Sequence, residues 1–344
     1  MAFPDLTALR DFAGWKAARA PGAAGPGPEP EALRAAYLDV LKLCLCDLAG
    51  TRTASVSMQF DGTVASRELS GEELKLRAAG MDWPLGGLTM LGLNRLDDLQ
   101  ACVESVVRDG VEGDLIEAGA WRGGASMLMR ATLDTLGATD RTVHVADSFQ
   151  GFPAGDAHGH LTATDFLSVP LEEVRASFER LGLAEGVRLV PGFFDETLPG
   201  LAGGHWAIVR LDADTYEATR LSLEVLYPGL ARGGHLIVDD YGVMAKEDCR
   251  RAVDEFREQN GIDEPLETVD WTCVRWRRAT DPPAERPAPP APPSARDRTA
   301  SAPRRGAMHV PTARELELEH ELAAVRERLS GRGSRWRRLA SRWR

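Results

Sequence analysis

Short apolar runs ending in Gly, Asp or Ser recur through the middle of the chain: DLIEAG (114–119), TVHVADS (142–148), VRLVPG (187–192), WAIVRLDAD (206–214) and GHLIVDD (234–240). Their length and β-branched content predict strands buried on both faces. Between them the apolar positions take helical spacing over 125–136, 171–181 and 218–230. Strand–helix alternation of this kind predicts a doubly wound α/β fold, a parallel sheet with helices on both faces. In such sheets ligands bind beyond the carboxyl ends of the strands, so the polar residues closing each run are where chemistry is expected.

Two helices are predicted upstream. Leu33, Tyr37, Val40, Leu41, Cys44 and Leu48 mark one over 31–48, and Leu96, Leu99, Val103, Val106 and Val107 mark another over 94–108. PGAAGPGPEP (21–30) disfavours regular structure and makes residues 1–30 a flexible arm. After Arg278, DPPAERPAPPAPPSARDR reads as an extended linker. Beyond it Leu318, Leu322, Val325 and Leu329 keep heptad-type spacing, too briefly for a coiled coil. The predicted organisation is an arm (1–30), a helical cap (31–110), the α/β domain (111–279), a Pro-rich linker (280–312) and a basic amphipathic helical tail (313–344).

Composition narrows the partners. A hydrophobic content of 43% over 344 residues supports a sizeable core, and a net charge of −11 argues against a general nucleic-acid binder. The charge is uneven: residues 301–344 hold eleven arginines and five glutamates. That tail suits an anionic surface or an acidic partner, although a solvated appendage is the plainer reading. No apolar run is long enough for a transmembrane segment, and the start of the chain lacks signal-peptide character. Five cysteines without a CxxC pair argue against a zinc site or disulfide framework, which makes the cytoplasm the default location. A homo-oligomer remains open.

The first strand run leads into Glu117-Ala118-Gly119-Ala120-Trp121-Arg122-Gly123-Gly124. A glycine turn opening a helix lets backbone N–H groups approach a ligand, and the helix start favours a carboxylate. Glu117 can accept bonds from the α-amino group of a methionine moiety, and Asp147, ending the next run, can take both hydroxyls of a ribose. These features favour S-adenosylmethionine over a dinucleotide, whose G-x-G-x-x-G loop lacks its second glycine here. The plainer alternative is a tight turn with Asp147 as a helix cap, and Trp121 either covers the turn or packs in the core.

Asp212, Asp214, Asp239 and Asp240 close the last two runs. On neighbouring strands these carboxylates gather, and like charges repel unless a cation sits among them. Carboxylate oxygens with waters and substrate hydroxyls suit Mg²⁺, and a bound dication stabilises an alkoxide. Ordinary alternatives are Asp214 as the cap of a helix starting at Thr215 and Asp239-Asp240 as a turn. The DxD pair by itself also fits a metal-dependent glycosyltransferase, which would leave Asp239-Asp240 and the Glu117 loop unexplained. A non-catalytic methyltransferase-like module recruiting partners through the tail would need a broken site, yet all four aspartates are present.

Seven segments in order resemble the macrocin O-methyltransferase family, which methylates sugar hydroxyls on natural products: YLDVLKLCLCDL (37–48), LTMLGLNRLDDL (88–99), LIEAGAWRGGAS (115–126), VADSFQGFP (145–153), GFFDETLP (192–199), RLDADTYEAT (210–219) and GGHLIVDDYG (233–242). The resemblance implies a class I methyltransferase fold, S-adenosylmethionine and Mg²⁺ as cofactors, and a small-molecule glycoside or sugar acceptor. It implies Asp212, Asp239 and Asp240 as metal ligands and Asp214 as general base. Glu117, Gly119, Asp147 and Ser148 fall in the cofactor pocket, Thr89 and Met90 over its methionine end, and Phe193, Phe194 and Asp195 on its adenine side. Asp98 departs from an expected asparagine. Loop 154–168, with His158 and His160, is the expected substrate lid; His144, His205 and His235 flank strands and read as structural.

Overall fold

A computed structural model describes residues 29–58, 64–153, 165–242 and 247–282. Residues 1–28, most of the lid loop, nearly all of the Pro-rich linker and the basic tail lie outside the described residues. The elements run α1 (Pro30–Leu45), β1 (Ala54–Met58), β2 (Val64–Glu68), α2 (Leu74–Ala78), β3 (Trp83–Pro84), α3 (Leu93–Arg108), β4 (Asp114–Ala118), α4 (Gly124–Thr135) and β5 (Val143–Asp147). They continue with α5 (Leu171–Arg180), β6 (Val187–Pro191), α6 (Phe194–Thr197), β7 (Trp206–Leu211), α7 (Tyr216–Leu226), β8 (Leu230–Val238), α8 (Glu247–Gln259), β9 (Glu267–Thr268) and β10 (Val274–Arg277).

The main sheet has seven strands in the order β6-β5-β4-β7-β8-β10-β9. The pairs from β6 to β8 are parallel, whereas β10 pairs antiparallel with β8 and with β9. Every residue of β7, WAIVRL, is buried, as a continuous apolar run in a doubly covered strand requires. Alternation divides β4 between two cores: Leu115 packs with α1, α3, α4 and α5, and Ile116 packs on the opposite face with α7 and α8. Helix α4 is buried from Gly124 through Leu133, because it is covered on its outer side as well as by the sheet.

The sequence reading names no element between the first two helices. The structure has α2 there and a small antiparallel sheet, β2-β1-β3. Arg77 binds the two together from inside: it is buried, donates to the Cys46 and Ala54 carbonyls at 3.1 and 2.9 Å, and pairs with Asp82 at 2.7 Å.

The chain leaves β4 outward to β5 and β6, then returns to β7 on the other side of β4. That reversal of strand order opens a crevice above the carboxyl ends of β4 and β7.

His235, on β8, bonds Ser105 at 2.9 Å, and burial, with help from Arg275 and Arg277, pushes its pKa down from 6.5 to about 4. A histidine with a depressed folded-state pKa contributes stability above its unfolded pKa and loses it as pH falls toward the folded one. Between pH 6.5 and about 4, the fold is therefore expected to lose up to about 3 kcal/mol through this group. Urea unfolding of wild type and His235→Gln over that window checks this; parallel pH slopes would rule it out.

Candidate active site

Gly119 follows β4 directly and has φ +90°; a Cβ there would lie 1.8 Å from the Asp212 carbonyl oxygen. Gly124 opens α4 with its Cβ position 2.5 Å from the Leu88 carbonyl. The turn between them is thus pressed against the end of β7 on one side and residues 88–89 on the other, a fit only glycine allows. The Ala120 and Trp121 amides donate to Asp147 Oδ2 at 2.8 and 3.0 Å, and the Phe149 amide donates to Oδ1 at 2.8 Å. Asp147, expected to face a ribose, anchors the glycine turn with one oxygen and shapes its own turn with the other. Ser148 donates to the Gly151 carbonyl at 2.6 Å, closing the same loop.

Glu117 is 1% exposed at the end of β4. Its Oε1 accepts from Arg210 Nη1 at 2.5 Å, while Oε2 accepts from both the amide and the hydroxyl of Ser126. Burial pushes its carboxyl up to about 7; Arg210 and Ser126 oppose that rise, and Asp212 and Asp239 add to it. The carboxylate is therefore held rigidly at the cavity wall before any ligand arrives.

Strands β7 and β8 pair Leu211 with Val238, so Asp212 and Asp239 are the next positions along adjacent parallel strands. Carboxylate oxygens of Asp212, Asp214 and Asp240 lie within 4.8 Å of one another. Asp214 adopts φ +61°, and the helix cap is Thr215, whose hydroxyl accepts from the Ala218 amide at 3.2 Å. The capping role considered for Asp214 thus belongs to its neighbour.

Asp239, expected as a ligand, has both oxygens facing arginines. Its Oδ2 accepts from Arg95 Nη1 at 2.6 Å and its Oδ1 from Arg210 Nη2 at 2.7 Å. The expected metal trio and the observed cluster share Asp212 and Asp240; Asp214 stands in the cluster in the place expected of Asp239. Asp240 is buried, and that burial, with the Asp212 and Asp239 charges, raises its carboxyl well above the ordinary range.

All of these groups open on one cavity of about 830 Å³. Thr89, Met90, Glu117, Gly119, Asp147, Ser148, Phe193, Phe194, Asp195, Asp212, Asp214, Asp239 and Asp240 all line it. Met81, Trp83 of β3 and Trp271 line it as well. Trp121 is one of the lining residues and also packs: its indole donates to the Phe166 carbonyl at 3.1 Å, and Arg122 lies 4.1 Å over its ring.

Sequence reasoning missed Arg95 and Arg210, both buried and both bonded to site carboxylates. A signal existed for Arg210, an arginine inside an otherwise apolar strand run. Asp98 bonds Arg275 at 2.9 Å and lies away from the cavity lining. His144 pairs with Asp114 at 3.2 Å and packs edge-on against Trp206. His158 and His160 lie outside the described residues, and all five cysteines are free thiols.

This strand order, with a glycine turn at the switch point, defines the class I methyltransferase fold. Residues 36–278 match the macrocin O-methyltransferase (TylF) family. The chain is 44% identical over 256 residues to the 8-demethyl-8-(2,3-dimethoxy-alpha-L-rhamnosyl)-tetracenomycin-C 4'-O-methyltransferase of Streptomyces olivaceus, covering 72% of this chain and 94% of that one. It is 39% identical over 257 residues to the mycinamicin III 3''-O-methyltransferase of Micromonospora griseorubida, covering 71% and 96% respectively. Among solved structures, the O-methyltransferase NovP superposes with a TM-score of 0.62 at 38% identity, covering 72% of this chain and all of that one. The protein belongs to the macrocin O-methyltransferase family. It is an O-methyltransferase with S-adenosylmethionine as methyl donor, and the glycosyltransferase reading of the DxD pair falls away. No helix among the described residues is long and apolar enough to cross a membrane.

Proposed function

We propose that the chain methylates a sugar hydroxyl of a natural-product glycoside, using a divalent cation, Mg²⁺, beside the methyl donor. The observation that carries this reading is the cluster of Asp212, Asp214 and Asp240 oxygens within 4.8 Å, in the same cavity as the Glu117–Gly119 turn. An octahedral Mg²⁺ with oxygens at about 2.1 Å keeps its ligands at most about 4.2 Å apart, so a small inward adjustment suffices. The donor set is all oxygen, which suits a hard cation rather than zinc. The two curated relatives, named for methylating a rhamnosyl group and mycinamicin III, support a glycoside acceptor.

Asp212 and Asp240 would hold the cation. Asp239, between two arginines, fixes their placement and keeps lone pairs for a further bond. A cation bound there supplies stabilisation of the charge developing on an acceptor oxygen. The Glu117 carboxylate would receive the α-ammonium of the donor, and the turn fixed by Asp147 would carry the nucleoside. Asp214 takes the proton from the acceptor hydroxyl, which needs the two oxygens about 2.6–3.2 Å apart. When bound, S-adenosylmethionine would supply a methyl group already activated on sulfur, its carbon–sulfur bond breaking as the acceptor oxygen bonds the carbon and S-adenosylhomocysteine departs. The donor is already activated, so the protein contributes alignment and preorganised charge.

Asp214→Asn is expected to keep the fold and cofactor binding while lowering kcat by about 10²–10⁴. Methyl transfer to a panel of glycosides, with Mg²⁺ and after treatment with chelator, tests the whole reading. Full turnover in chelated protein would remove the cation from it, and wild-type rates in Asp214→Asn would remove the base.

A further inference from the structure

We infer that Arg210 is a positioning residue shared by the two halves of the cavity, tying the carboxylate that meets the methyl donor to those that meet the cation. The inference rests on the proposed function above. Arg210 is the penultimate residue of β7, with its side chain 1% exposed. Nη1 donates to Glu117 Oε1 at 2.5 Å and to Asp212 Oδ2 at 3.3 Å. Nη2 donates to Asp212 Oδ2 at 3.2 Å and to Asp239 Oδ1 at 2.7 Å. One planar guanidinium therefore spans β4, β7 and β8 at their carboxyl ends, where a lysine ammonium could not match the fork. Arg95, by contrast, bonds Asp239, Asp270 and the Gly80 carbonyl, and so braces the cation end alone.

A guanidinium shared among three carboxylates distributes its charge according to their pull. The two short bonds go to Glu117 and Asp239, and the two long ones to Asp212. If Glu117 loses its charge, Arg210 turns toward Asp212 and Asp239 and weakens the hold of Asp212 on a cation. If Asp212 loses its charge, Arg210 turns toward Glu117 and competes with the donor's α-ammonium. Each substitution is thus felt by the ligand at the other end, and both effects have the same sign. Burial keeps the interaction from being screened by salt.

The test is calorimetry with each ligand alone: Mg²⁺ without cofactor, and S-adenosylmethionine in chelator without acceptor. Glu117→Gln is expected to weaken Mg²⁺ binding about tenfold, and Asp212→Asn to weaken S-adenosylmethionine binding about tenfold, the scale of groups acting through a ligand's neighbours. Arg210→Lys is expected to weaken both. A merely structural arginine would lower the melting temperature and leave both affinities of the folded protein intact. Wild-type Mg²⁺ affinity in Glu117→Gln, or wild-type cofactor affinity in Asp212→Asn, overturns the inference. If Arg210→Lys does not fold, those two variants still decide it. If the wild type binds no Mg²⁺, the cation reading fails, and the cofactor measurement in chelator decides the role of Arg210 by itself.

Discussion

Asp239→Ala is expected to destabilise the fold by about 3–5 kcal/mol, the cost of removing one partner from a buried ion pair. Arg95 and Arg210 are 5% and 1% exposed, and each donates to a different oxygen of Asp239 at 2.6 and 2.7 Å. Arg95 keeps Asp270 at 3.0 Å and Arg210 keeps Glu117, so the arginines would not be wholly orphaned. Yet each would lose a close partner, and alanine would leave two like charges facing one small void. Loss of activity in this variant therefore says little about metal ligation. Urea unfolding measures the effect, and a change below 1 kcal/mol would show that the network does not bear on stability.

Asp240→Asn is expected to do the reverse: to lower turnover about 10³-fold while raising the melting temperature of cation-free protein. The loss follows from removing a proposed ligand, where a cation's stabilisation of developing charge is worth several kcal/mol and each 1.36 kcal/mol is tenfold in rate. The gain follows from removing an ionisable group whose burial, and then repulsion by its neighbours, costs stability. Burial, and after it the Asp212 and Asp239 charges, hold the Asp240 carboxyl well above the ordinary range. Asparagine keeps the shape without the charge. A relief of about 1 kcal/mol corresponds to roughly 2–4 °C in a domain of this size. Melting curves in chelator together with steady-state rates check both halves. A lowered melting temperature would mean that Asp240 is stabilised by its surroundings even without a cation.

Much of the α/β framework was legible in one dimension. The five apolar runs became β4 to β8 and the helical spacings became α4, α5 and α7, with ends displaced by a few residues. Helix α8 was not named from the sequence: Cys249, Ala252, Val253 and Phe256 keep i, i+3, i+4, i+7 spacing and are all buried, but flanking charges mask the pattern. Strands β1 to β3 were not legible. ASVSM alternates but is only five residues long with a single β-branched residue, VASRE is mostly polar, and the two hold together through each other and through Arg77. The antiparallel β10 is four residues long, and only Val274 and Trp276 mark its inward face.

The candidate site divides along the same line. A strand's end is a local property, so the chain itself specified that Glu117, Asp147, Asp212 and Asp239 would stand at one edge of a parallel sheet beside a glycine turn. Which carboxylate partners which cation is not local. Arg210 meets Glu117 across 93 residues and Arg95 meets Asp239 across 144. Only the β4–β7–β8 register and the packing of α3 decide that Asp239 is taken by arginines while Asp214 joins Asp212 and Asp240. The reason is physical: hydrophobic spacing determines which face a side chain enters, but a buried charge is settled by whichever opposite charge the folded neighbourhood brings within reach.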